Sequence, residues 1–111
     1  MMRYAICDIK YNVSRKRYTV KVLALFQNRE DADAFRFSVP SLKNHPADIV
    51  DVMTGKILSE HDTSVEHFVN MRMPYDEAYK MHLVCINREY NVKEYFKGWR
   101  KRNGFEINDK Q

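Results

Sequence analysis

Residues 4–26, "YAICDIKYNVSRKRYTVKVLALF", hold two alternating apolar runs separated by a short cationic break. In the first run Ala5, Cys7, Ile9, Tyr11 and Val13 fall on one side, and Asp8, Lys10 and Asn12 on the other. A period of two is the period of a strand, so residues 4–13 are predicted as one. The second run, 18–26, is rich in β-branched and aromatic residues, which fit a pleated surface. Tyr18, Val20, Val22, Ala24 and Phe26 share one side; Thr19 and Lys21 take the other, with Leu23 and Leu25 making its far end apolar. The four polar residues "SRKR" between the runs predict an antiparallel hairpin with a cationic tip.

Working outward, Asn28 is placed as a helix N-cap, with Glu30 and Asp31 suited to the first turn. Ala32, Phe35 and Val39 would carry the buried side of this helix, Pro40 would end it, and "SLKNHP" would connect onward. "ADIVDVMTGKIL" predicts a third strand, a turn at Thr54-Gly55 and a short fourth strand. The rest of the chain is helical in pattern. Thr63-Ser64-Val65-Glu66 fits a capping box, followed by Val65, Phe68, Val69 and Met73 at helical spacing. Pro74 breaks that helix and can open the next, from Tyr75 to Tyr90, with Ala78, Tyr79, His82, Cys85 and Ile86 along one side. Asn91-Val92-Lys93-Glu94 resembles a second box, so a separate last helix is expected from Val92 to Arg102. Gly104 then suits a left-handed C-terminal position, with Phe105 placed for the accompanying apolar contact. The expectation is a single α+β domain over residues 1–111: a small antiparallel sheet, made of an N-terminal β-hairpin, a helix and a further strand or hairpin, packed against C-terminal helices, with a fraying tail at 106–111.

A chain of 111 residues is long enough for one core without metal or disulfide staples. No apolar run approaches the ~18 residues needed to span a bilayer. "MMRYAICDIKYN" lacks the apolar centre of a secretory signal. A soluble cytoplasmic protein with no membrane partner is therefore expected. Cys7 and Cys85 each sit in an apolar segment without a CxxC partner, and are expected as reduced, buried thiols.

Charge is segmented. Residues 15–21 carry net +4, residues 88–102 net +4 and residues 28–66 net −4. Such a layout can hold a polyanion on one side, or can reflect pairing within the molecule. On a helical wheel of about 100° per residue, Val92, Tyr95, Phe96 and Trp99 occupy one arc, and Lys93, Lys97, Arg100 and Lys101 an opposing one. Base stacking needs aromatic faces and cations presented together. Aromatics that back onto the cations are read as core. The candidate partner- or nucleic-acid-binding residues are thus Arg15, Lys16 and Arg17 at the hairpin tip, and Lys93, Lys97, Arg100 and Lys101 on the last helix.

No constellation for catalysis emerges. His82 and Cys85 are three apart on a predicted helix, but a structural zinc site needs four ligands and no second pair completes it. His61, Asp62, Glu66 and His67 fit no metal spacing, Asp48 and Asp51 read as solvent-side residues of a strand, and Gly55, Gly98 and Gly104 stand too far apart for a phosphate loop. No cofactor and no metal are expected. The hairpin and capped helix in "YTVKVLALFQNREDADAF" resemble many small single-domain proteins, among them accessory proteins carried by phages and other mobile elements. That resemblance implies a stand-alone binding protein acting on a larger machine, such as an anti-defence inhibitor. The functional expectation is a non-catalytic binding protein, monomer or homodimer, that modulates a protein or ribonucleoprotein complex. The alternative is a sequence-nonspecific DNA- or RNA-binding module built on the same cations.

Overall fold

The computed structural model describes residues 2–38, 47–59 and 62–105. The two alternating runs form the expected hairpin: β1 (Tyr4–Asn12) pairs antiparallel with β2 (Arg17–Phe26). The pairing contains one irregularity. Ile6 faces Ala24 but Cys7 faces Val22, so Leu23 is an extra residue on β2. One inserted residue reverses the side on which every later side chain falls. The predicted common face of β2 is therefore split. Val20 and Val22 join Leu25 beneath one side of the sheet, while Ala24 and Phe26 lie on the other. Leu23, left at the bulge, is 39% exposed.

After the hairpin comes α1 (Arg29–Ser38), and the Asn28 carbonyl accepts its first helical hydrogen bond from Ala32 N at 3.2 Å. Ala32 is fully buried, and the Phe35 ring lies 5.3 Å from Phe26. The expected roles of Val39, Pro40 and the 41–46 connection lie outside the described residues, as do His45, His61 and the 106–111 tail. Next, β3 (Asp48–Asp51) pairs antiparallel with β1, and β4 (Lys56–Ile57) with β3, giving the sheet order β2-β1-β3-β4. The intervening turn uses Gly55 at φ +74°, a left-handed conformation. A Cβ there would also stand 2.8 Å from the Lys93 backbone Cα, so the turn sits directly on the last helix.

Helix α2 (Val65–Asn70) is capped one residue later than the box pattern implies. Ser64, not Thr63, is the N-cap, and its hydroxyl accepts from His67 N at 3.1 Å. Asp62 in turn accepts from Ser64 N at 2.9 Å; this bond is the main cause holding its carboxyl below the usual range. The two expected C-terminal helices are one: α3 runs unbroken from Tyr75 to Arg102, 28 residues. Neither proline nor glycine stands near the expected break, and Asn91 is used otherwise, as described below. At the end of α3 the expected cap forms. Phe105 N bonds to Arg100 O at 2.9 Å, Gly104 sits at φ +72°, and the Phe105 ring lies 5.1 Å from Trp99.

The molecule is an α+β fold in which the sheet has helices on both faces. Ala5, Cys7, Val50, Val52 and Ile57 meet Val92, Phe96 and Trp99 of α3 on one side. Ile6, Ala47 and Ile49 meet Ala32 of α1 on the other. Two side chains expected toward solvent serve as internal ties. Asp51 is 7% exposed and accepts from Arg3 at 3.0 Å and from Met53 N at 3.0 Å. Asp48 pairs with Arg88 of α3 and accepts from the Ser59 hydroxyl at 2.9 Å.

Candidate binding surface

The hairpin tip is built by backbone economy. Asn12 Oδ1 accepts from Arg15 N at 3.0 Å, and Lys16 takes a left-handed φ of 54° to turn the chain. For a residue with a Cβ that conformation costs about 1–2 kcal/mol. Val13 belongs to this loop rather than to β1 and is exposed. Arg15, Lys16 and Arg17 all stand in solvent.

The base of the hairpin is fastened to α3 by Asn91. An edge strand leaves a row of backbone groups unpaired, and β2 is such an edge. Its Tyr18 N–H donates to Asn91 Oδ1 at 2.8 Å. Asn91 is 8% exposed and lies inside α3, so it is an internal acceptor for the sheet and not the cap of a second helix. Beside this bond opens a cleft of about 410 Å³ between hairpin and helix, lined by Arg15, Arg17, Tyr18, Asn91, Glu94 and Tyr95. The Tyr18 phenol is shifted upward, chiefly by its partial burial. The hairpin tip and the last helix, separate in sequence, thus border one cleft.

Arg102 extends that border. Its guanidinium lies over the Tyr95 ring, 5.5 Å from the centroid. A Cβ on Gly98 would meet Arg102 Nη1 at 3.0 Å, so Gly98 leaves the room through which Arg102 folds back along its own helix. Sequence reading did not single out Arg102. The available signal was the Gly98 spacing of four residues, which puts an empty position under it.

The remaining candidates divide. Lys97 and Lys101 are exposed on the outer side of α3, and Lys93 is exposed beside the Gly55 turn that packs against it. Arg100 does not belong with them. It is 9% exposed and donates to the Val52 carbonyl at 2.7 Å, tying α3 to the chain just after β3. The expectation that it contacts a partner is corrected: it lies 340° round the wheel, at the margin where helix meets sheet, by about 100° per residue from Tyr75. Two of the three aromatics fall as expected, while Tyr95 is only partly buried and lines the cleft under Arg102. Phe96 is fully buried and Trp99 is 7% exposed, so neither offers a face for stacking.

Other polar groups are structural. The Thr63 carbonyl accepts from His82 Nδ1 at 2.8 Å, joining α3 to the residue before the α2 cap. Cys7 and Cys85 are thiols, with Cys7 fully buried and Cys85 half-buried. Desolvation, aided by the Asp48 charge, pushes the Cys7 thiol up to about 12. Among the described residues, no three His, Cys, Asp or Glu side chains are grouped to hold a metal, and no helix is long and apolar enough to cross a membrane. No family model, curated protein or solved structure matches the chain.

Proposed function

We propose that this chain is a non-catalytic binding protein whose cationic cleft docks onto an acidic surface of a larger protein or ribonucleoprotein complex and modulates it. The observation that supports it is the meeting of Arg15 and Arg17 with α3 at one cleft bordered by Arg102, with Lys97 and Lys101 exposed on the adjoining outer side of the helix. Within the cleft Glu94 contributes an anion, and the Tyr95 ring is covered by Arg102. The Glu94 carboxylate repels a continuous phosphate backbone, which favours a discrete acidic patch on a protein face over a polyanion.

The test is a pull-down from host extract with two charge-reversal pairs, Arg15→Glu with Arg17→Glu and Lys97→Glu with Lys101→Glu. These exposed changes should alter stability by no more than about 0.5 kcal/mol. A stoichiometric protein complex lost with both pairs is the expected result. Retention by both pairs would overturn the assignment of this cleft. Binding that instead falls ~1,000-fold between 50 and 200 mM salt, with nucleic acid recovered, would transfer the site to the polyanion reading.

A further inference from the structure

The outer side of α3 changes character along its length. Its C-terminal half presents lysines, while its N-terminal half presents Tyr75, Tyr79, Leu83, Ile86 and Tyr90, which are 67, 49, 46, 46 and 61% exposed. At about 100° per residue these five fall within an arc of roughly 80°, and they run for about 22 Å along the helix. They face away from the sheet, which holds Val92, Phe96 and Trp99 on the opposite side. Scaled from the ~200 Å² of a large side chain, the stripe offers roughly 500 Å² of apolar contact surface. That is at the upper end of what a soluble monomer leaves in one patch.

We propose that this stripe is the interface of a homodimer in which two α3 helices pair antiparallel. Three features single out a second copy as the occupant. The first is symmetry of spacing. Tyr79, Leu83, Ile86 and Tyr90 are separated by four, three and four residues. This is a two-heptad seam, and it reads the same from either end. An antiparallel partner therefore sets Tyr79 against Tyr90 and Leu83 against Ile86, twice over, as an isologous contact requires. The second is charge. Asp76 stands three residues before the seam and Lys93 three after it, both exposed. Antiparallel pairing brings each Asp76 to the other chain's Lys93 at both ends. Parallel pairing would set Asp76 against Asp76, Lys93 against Lys93 and Lys97 against Lys97. The third is area. On the same scaling the four seam side chains of two copies bury ~800 Å² and the full stripes at most ~1,000 Å², the size of a weak, concentration-dependent dimer.

The seam lies on the outer side of the helix and the cationic cleft along the hairpin edge, so the dimer would carry two copies of the cleft. This inference does not depend on the docking role of that cleft. A dimer that binds no acidic partner, or a monomer that does, would separate the two.

Sedimentation equilibrium of the purified chain over roughly 1–100 μM tests it, since a dimer's population must follow mass action. The expected result is a dimer whose dissociation constant rises at least tenfold in Leu83→Glu and in Ile86→Glu, with far-UV circular dichroism retained. Asp76→Lys and Lys93→Asp should each weaken the dimer, and the double exchange Asp76→Lys with Lys93→Asp should restore it. A chain that stays monomeric at the highest concentration overturns the proposal, whatever other protein covers the stripe. So does a dimer that survives both seam variants. A double exchange that fails to restore association rules out the antiparallel register.

Discussion

Asn91→Ala should loosen the hairpin from α3 while leaving the helix intact. The lost amide oxygen strips the Tyr18 N–H of its 2.8 Å acceptor in a part-buried position. An orphaned donor of that kind costs about 1–3 kcal/mol. Alanine replaces asparagine in a helix interior, which returns about 0.6 kcal/mol of intrinsic propensity. The desolvation loss is the larger of the two, so the net effect is a destabilisation of roughly 0.5–2 kcal/mol. Urea unfolding measures this as a lower midpoint at unchanged slope. Amide hydrogen exchange locates it, because the Tyr18 amide should lose protection while those of Lys93 and Glu94 keep theirs. If Asn91 were instead the cap of a separate helix, its loss would free the amides two and three residues further on. Faster exchange at Lys93 and Glu94, with Tyr18 unchanged, would refute the role assigned to Asn91 and divide α3 in two.

Trp99→Ala should cost roughly 3–5 kcal/mol, the usual loss on emptying a large aromatic site, and Trp99 fluorescence should be shielded from soluble quenchers because the side chain is 7% exposed; an accessible, dispensable Trp99 would return it to the surface. Gly55→Ala should cost roughly 2–4 kcal/mol, combining left-handed strain with crowding against a backbone atom that cannot swing aside; a neutral melting temperature would mean the turn stands off the helix. Thiol labelling should modify Cys85 readily and Cys7 only on unfolding, since Cys7 is fully buried and Cys85 is not. Because the Cys7 thiol is raised to about 12 in the fold, the unfolded chain releases its proton first. Stability should be complete below about pH 8.5 and then fall by up to ~1.4 kcal/mol per pH unit as the pH rises toward the folded value. That added slope should vanish in Cys7→Ala; a slope unchanged by the substitution would assign it to other groups.

The elements were legible where periodicity and local caps agree with tertiary packing. β1 and β2, the Thr54-Gly55 turn and the Gly104-Phe105 cap all follow from patterns within a few residues. The failures share a cause: a side chain able to serve a local purpose was taken by a distant one. Asn91 fits a cap by its neighbours, yet its oxygen answers a need at Tyr18, 73 positions away. Arg100 fits a cationic stripe, yet it bonds a carbonyl 48 positions away. The Leu23 bulge has no signature in an unbroken β-forming run, so the change of side at Ala24 was not readable. The exposed stripe was readable in part. Tyr79 and Ile86 were assigned to one side with Ala78, His82 and Cys85, but only Ala78 is fully buried. On a wheel of about 100° per residue Ile86 and Tyr79 stand only about 40–60° from His82, against about 160° between Trp99 and Lys97, so the pattern alone draws that boundary weakly.

The charge segments take on a different meaning once the chain is folded. Two anions of the acidic segment, Asp48 and Asp51, are held by Arg88 and Arg3, so part of the opposition between segments is internal pairing. Arg100, counted among the cations of the last helix, is spent on the Val52 carbonyl. The count of charges along a sequence therefore overstates what a partner can meet. Arg15 and Arg17 line the cleft with Arg102 at its border, while Lys16 at the tip and Lys97 and Lys101 on the outer side of α3 also face solvent. Because Arg100 lies in the fold and Lys101 beside it lies in solvent, neighbouring substitutions should separate stability from binding. Arg100→Ala removes a charged donor from a buried carbonyl and should cost about 1.5–3 kcal/mol. Lys101→Glu should leave the melting temperature nearly unchanged and weaken the partner. Equal effects of the two on binding, at equal stability, would place Arg100 back on the surface and undo the division of α3 on which the cleft assignment rests.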